Sequence, residues 1–247
     1  MLRPTLLHNE LRDVPGLEKA AAQPLDVDEV LRHRDRMASD WNDSGQVDSL
    51  DQAGITLIRG HGRLAGPRAV AVTTPDGAMA HLSARHAVTV CTGSRAALPP
   101  LPDLETLRPW TSREATSAPR VPRRLAIVGA GVVAVEMATA WQALGSRVTL
   151  IAREPRLLPH VEPFAADLVA DRLRESGVDL RLETTAVTAV REGGPAGAIH
   201  MTLTDATELV VDELLLATGR STSGGGAATP APRSSKPCRR WCSPIPR

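Results

Sequence analysis

The sequence predicts an α/β chain in which a βαβαβ unit with a parallel sheet follows a β-meander. Three observations carry that expectation. An apolar run, Leu125-Ala-Ile-Val128, leads straight into a glycine turn at 129–131. A helical segment from Val132 to Leu144 follows and ends at Gly145. A second run, Arg147–Ala152, is followed by a second helix over Pro163–Ser176 and a third run at Val178–Leu182. Strand and helix patterns alternating at these lengths build parallel pairs joined by crossover helices. Gly145 and Gly177 suit helix C-termini, and Pro163 suits a first helical turn. Residues 184–216 read as further strands, the last being Leu209–Leu216.

Upstream, Leu25-Asp-Val-Asp-Glu29 has the spacing of a helix start, with Asp26 as cap and Glu29 three residues on as its capping-box partner. That helix is expected to run to about Ser39, with Val30, Leu31 and Met37 on its apolar side, and 44–53 adds a short one. Ile55–Ile58, Ala69–Thr74, Met79–Leu82 and Ala87–Cys91 are short apolar runs broken by Gly, Pro or Asp-Gly, and they read as the strands of the meander. Pro99, Pro100, Pro102, Pro119 and Pro122 mark irregular connections. Residues 221–247 hold three consecutive glycines, five prolines, five basic residues and no acidic one. This segment is expected to be a disordered tail, with the composition of a shifted reading frame or a replaced C-terminus. A basic arm for nucleic acid is the alternative reading.

Of the 247 residues 42% are hydrophobic and 23% charged, which excludes wholesale disorder. A net charge of +1 supplies no field toward nucleic acid or membrane. No apolar run approaches the roughly 20 residues of a membrane helix, and the first ten residues lack the pattern of a signal peptide. A cytoplasmic protein is therefore expected. The three cysteines, Cys91, Cys238 and Cys242, make no disulfide framework. The absence of Tyr, a single Phe and only two Lys reflect codon usage.

The chemistry is concentrated in Gly129-Ala130-Gly131-Val132-Val133-Ala134-Val-Glu136, which fits G-x-G-x-x-A between a strand and a helix. Gly129 permits the tight turn, Gly131 admits a pyrophosphate to the backbone, and Ala134 keeps helix and strand close. The helix N-terminus then offers free N–H groups to phosphate. The alternative is a purely structural turn. Glu136, in the early turns of the helix, also reads simply as a complement to the helix dipole. An NAD site places an acidic residue at the end of the second strand to hold the ribose 2′-OH. Here that position is Ala152, followed by Arg153, with Glu154 adjacent and Arg156 one turn later. A guanidinium suits a 2′-phosphate, so NADP is favoured over NAD.

Ile127-Val-Gly-Ala-Gly-Val-Val-Ala-Val-Glu-Met137, Trp141-Gln-Ala-Leu-Gly145 and Val148-Thr-Leu-Ile-Ala-Arg153 resemble the pyridine nucleotide–disulfide oxidoreductases, and most nearly their mercuric reductase-like branch. Val90-Cys-Thr-Gly-Ser94 with Pro99-Pro-Leu-Pro102, Trp110-Thr-Ser-Arg-Glu-Ala115 and Leu215-Leu-Ala-Thr-Gly-Arg220 agree in order and spacing. The resemblance covers roughly residues 1–220. It implies a partial FAD-binding domain over 1–121, a Rossmann-like NAD(P)-binding domain over 122–220, and the tail over 221–247. It also implies hydride transfer from NAD(P)H to flavin, and Glu136 near the nicotinamide. Val187 and Gly219 fall where the family touches the nucleotide again; Gly62, Thr92, Gly93 and Ser94 fall where it lines the FAD.

The family's first G-x-G-x-x-G, its C-x-x-x-x-C redox pair and its dimerisation domain have no counterpart in this sequence. Cys238-Arg-Arg-Trp-Cys242 has the wrong spacing and position to replace the pair. Truncation at both ends is therefore expected, with weak FAD retention, impaired catalysis, no dithiol turnover and no family homodimer. No catalytic residue and no metal ligand is assigned. Cys91 stands where Ala is usual and is expected to be a buried strand residue. A dinucleotide-binding module without turnover, and a non-functional gene remnant, are the competing readings.

Overall fold

The computed structural model describes residues 1–11, 14–17, 19 and 22–222. The expected disordered tail, apart from its first two residues, and with it Cys238 and Cys242, lies outside the described residues.

The βαβαβ unit is present. Strand β5 (Arg124–Val128), helix α6 (Val132–Ala143), β6 (Arg147–Ile151), α7 (Pro163–Glu175) and β7 (Asp179–Arg181) follow one another. With β11 (Glu213–Leu216) they form a four-stranded parallel sheet in the order β11-β5-β6-β7. The inner strands β5 and β6 and the strand β11 are largely buried on both faces, as parallel strands under crossover helices are, while the edge strand β7 is partly exposed. Alternation along each strand divides the core in two. Leu125, Ile127, Val148, Leu150 and Leu215 pack on one side with Trp141 and Ala138 of α6 and Leu173 of α7. Ala126, Val128, Ile151, Leu214 and Leu216 point to the other side. There they meet Ala189, Ile199, Met201, Leu203 and Val211 of an antiparallel meander, β8 (Ala186–Arg191), β9 (Ile199–Leu203) and β10 (Glu208–Val211). The layers are thus helices, parallel sheet, antiparallel sheet.

The N-terminal part is α1 (Leu2–Leu11), α2 (Val27–Met37), α3 (Ser44–Gln52) and a meander of β1 (His61–Gly66), β2 (Ala69–Thr73) and β3 (Met79–Ser83). Asp26 caps α2, its carboxylate accepting from the Glu29 N–H at 2.9 Å. Glu29 does not return the bond; its carboxylate pairs with Arg32 and Arg36. A complete capping box occurs instead at Thr111 and Glu114, opening α5 (Ser112–Ser117) after the short α4 (Leu104–Leu107).

Several expected strands are corrected. Ile55–Ile58 and Ala87–Cys91 form no strand, and Ile55, Leu57 and Val90 are exposed. Among the described residues neither run has a neighbouring strand, and a strand without a ladder partner leaves its backbone to water. Cys91 is accordingly exposed, not buried. Leu209–Leu216 is two strands in different sheets, β10 and β11, parted at Asp212. The Asp212 N–H donates to the Arg124 carbonyl, and its carboxylate accepts from the Arg124 N–H at 2.8 Å and the guanidinium at 2.6 Å. The chain therefore leaves the meander and joins β5 at that residue.

Burial raises the Asp212 carboxyl pKa, but the Arg124 hydrogen bonds and the charges of Arg124 and Arg123 together hold it below its ordinary 3.8. A carboxyl depressed by folding stabilises above its unfolded pKa, and that stability is lost as pH falls through the folded one. Asp212→Asn is expected to cost about 1 kcal/mol at pH 7, given a half-exposed pair. The difference from the parent chain, read by urea unfolding, shrinks below about pH 4. A gap that stays constant down to pH 2 excludes ionisation as its source.

Candidate functional site

The glycine turn sits where β5 ends against the end of β11. Gly129 has φ +146°, and a β-carbon there meets the Ala217 carbonyl oxygen at 2.3 Å. That carbonyl cannot easily withdraw, because the Ala217 N–H is bonded to Val128 at 2.8 Å and the Gly129 N–H to Ile151 at 2.9 Å. Gly131 is different. It has ordinary φ −85°, and a β-carbon there meets nothing within 4 Å. The open space faces the N-terminus of α6, which has no side-chain cap. Among the described residues, the N–H groups of Gly131, Val132 and Val133 make no hydrogen bond within the chain. Uncapped amides beside an unfilled glycine position are what an anionic group requires.

A cleft of ≈ 500 Å³ lies over this turn. It is bounded by residues following β5, β6 and β11, the carboxyl edge where open parallel sheets bind ligands. Gly129, Ala130, Gly131, Val132, Val133, Arg153 and Gly219 all line it. Ala134 is fully buried behind the turn.

The remaining wall joins two Thr-Gly segments more than a hundred residues apart. β4 (Ser94–Ala96) pairs antiparallel with β12 (Arg220–Thr222). Thr218 Oγ1 donates to the Ala97 carbonyl at 2.7 Å, the Ala97 N–H donates to the Gly219 carbonyl at 3.0 Å, and Arg220 Nε donates to Ser94 Oγ at 2.7 Å. Ala97, Pro99, Thr218 and Arg220 line the cleft. Thr92, Gly93 and Ser94 do not, although Ser94 is held by Arg220 at its rim. Gly62 lies in β1, away from this wall.

Glu136 is exposed on α6 and does not line the cleft. Val187 is also exposed and outside it; Thr185, two residues earlier, faces it instead. Arg153 is 81% exposed, its Nε donating to Glu154 Oε1 at 2.9 Å. Both residues line the cleft, so the position after β6 presents a guanidinium and a carboxylate side by side. Arg156 turns away to Asp167 on α7 at 3.0 Å. Pro159 and His160 line the cleft without having been singled out in the sequence. Among the described residues no cluster of side chains suits a metal ion, and no helix is long and apolar enough to cross a membrane.

Comparison with known proteins bears on these elements. The model of the pyridine nucleotide-disulphide oxidoreductase family matches residues 7–231. Similar curated proteins include a mercuric reductase of Lysinibacillus sphaericus, 28% identical over 206 residues covering 83% of this chain and 36% of that protein. A mercuric reductase of Shigella flexneri is 34% identical over 167 residues, covering 68% and 29%. The chain spans about a third of the length of these relatives. Among solved structures, the Cu(II) complex of the HOCl-induced flavoprotein disulfide reductase RclA from Escherichia coli superposes with TM-score 0.75 at 21% identity, covering 90% of this chain and 46% of that one. LpdA from Mycobacterium tuberculosis gives TM-score 0.72 at 25% identity, covering 91% and 49%.

Proposed function

The chain belongs to the pyridine nucleotide-disulphide oxidoreductase family, and from that premise we propose that its cleft binds a nicotinamide dinucleotide, NADPH in preference to NADH. The observation that carries this is the convergence of the uncapped α6 amides, the open Gly131 position and Arg153 on one cleft. The amides hold the pyrophosphate, and Arg153 takes the 2′-phosphate. A nucleotide held there would carry hydride chemistry toward a flavin; the part of this chain's own residues is to position it and neutralise its phosphates. This gives an oxidoreductase domain pair, 122–220 for the nucleotide and 1–121 contributing part of the flavin site.

Titration with both reduced nucleotides tests the reading. Arg153→Ala is expected to weaken NADPH by roughly 10–100-fold, the worth of a charge-assisted phosphate contact, and to leave NADH within about twofold. Glu154→Gln, which releases Arg153 from its carboxylate partner, is expected to strengthen NADPH. Equal affinity for the two nucleotides in the parent chain excludes Arg153 as selector.

FAD retention by the 247-residue chain is expected to be weak. Gly62, in β1, and Thr92–Ser94, beside β12, stand on separate elements, and neither belongs to a second glycine turn that opens a helix. Stoichiometric flavin absorbance surviving gel filtration overturns that expectation. Dithiol turnover is likewise not expected, since Cys91 is the cysteine among the described residues and exchange needs a close pair.

A further inference from the structure

We propose that His160 is a phosphate ligand of this cleft, its imidazole donating to the pyrophosphate from the loop between β6 and α7. The inference rests on reading the cleft as a dinucleotide site and names a binding residue that the glycine motif does not contain. Leu157 is fully buried and anchors the loop between β6 and α7. Leu158 then takes a left-handed conformation, φ 51°, which a bulky side chain adopts only where its surroundings impose it. Its N–H donates to the Ala130 carbonyl at 2.7 Å, the middle residue of the glycine turn.

Two consequences follow. The Ala130 carbonyl, an acceptor that repels phosphate, is occupied by Leu158 and held out of the way. The chain then closes a four-residue turn, with the Val161 N–H donating to the Leu158 carbonyl at 2.9 Å. Pro159 sits at the first central position, where its fixed φ suits the turn, and His160 at the second. A rigid turn, bonded to the phosphate-binding turn itself, thus carries an imidazole to the cleft. The side chain is exposed and has no hydrogen-bond or ionic partner among the described residues. A ring N–H donor of this kind adds a further contact to those of the amides. The tether to Ala130 places it at the pyrophosphate, shared by both nucleotides, whereas Arg153 follows β6 at the ribose.

Calorimetric titration of the full chain with NADH and with NADPH tests this. His160→Ala is expected to weaken both by about tenfold, His160→Lys to restore both, and thermal unfolding to be unchanged in each. Undiminished binding of both nucleotides by His160→Ala overturns the assignment and leaves the dinucleotide reading standing. A loss confined to NADPH overturns the pyrophosphate placement. A parent chain that binds neither nucleotide overturns the dinucleotide reading, and the role of His160 falls with it.

Discussion

Gly129→Ala is expected to lower stability by about 3 kcal/mol and to abolish the proposed nucleotide binding, whereas Gly131→Ala is expected to leave the fold intact and to abolish that binding alone. The two substitutions are chemically identical and two residues apart. At Gly129 the new methyl lands 2.3 Å from a backbone oxygen of the strand end beside it, at φ +146°. Overpacking of this kind costs about 1–3 kcal/mol and the unfavourable φ about 1 more. Relief requires β5 or β11 to shift, and that shift carries the α6 amides with it. For a chain of this size the loss lowers Tm by about 10 °C. At Gly131 the methyl enters open space at an ordinary φ, and the reduced freedom of the unfolded chain offsets any cost. The methyl does occupy the volume through which a pyrophosphate approaches the backbone. Thermal unfolding and nucleotide titration of the two variants separate the outcomes. Wild-type affinity in Gly131→Ala removes the phosphate from this turn.

The contrast shows what kind of information was local in the sequence. The strand, glycine turn and helix of the βαβαβ unit were legible because each signal sits within a few residues of the structure it specifies: the continuous apolar run Leu125–Val128, Gly145 and Gly177 closing helices, Pro163 opening one. What depended on distant partners was not legible. Asp212, one of two acidic residues inside the run read as a single strand, divides it because Arg124, 88 residues away, takes both its carboxylate and its backbone. Ile55–Ile58 and Ala87–Cys91 carry strand composition, yet composition does not supply the neighbouring strand a ladder needs. Within the cleft, Gly129, Gly131 and Arg153 were found by motif and spacing. Thr185, Pro159 and His160 follow no motif, and reach the site through the Leu158–Ala130 bond and the return of the chain after β7. The Pro-His pair before Val161 is a turn signal in hindsight, but its target is set by tertiary structure.

The same dependence on distant partners governs the largest stability effect expected away from the cleft. Arg191 of β8 is 4% exposed, the most buried guanidinium in an ion pair among the described residues. Its Nη2 donates to Glu213 Oε2 at 2.7 Å, Nε to the Leu107 carbonyl at 3.0 Å, and Nη1 to the Gly197 and Asp212 carbonyls at 3.0 and 3.3 Å. One side chain thereby ties the antiparallel meander to α4 and to the point where β10 passes into β11. Arg191→Ala strands a 23% exposed carboxylate and removes partners from three carbonyls. Breaking a buried pair from one side costs about 3–5 kcal/mol, against a total stability of about 5–15 kcal/mol for an ordinary domain. The variant is therefore expected to lose a large share of the parent chain's stability and to unfold at a markedly lower urea concentration. Most of that penalty is the uncompensated charge of Glu213, so Arg191→Met combined with Glu213→Gln is expected to recover about half of it. Urea unfolding of the parent, of Arg191→Met, of Glu213→Gln and of the double variant closes the cycle, with Arg191→Ala measured beside it. An Arg191→Ala chain within about 1 kcal/mol of the parent shows that the pair behaves as a surface ion pair and that the two sheets are held together by apolar packing alone.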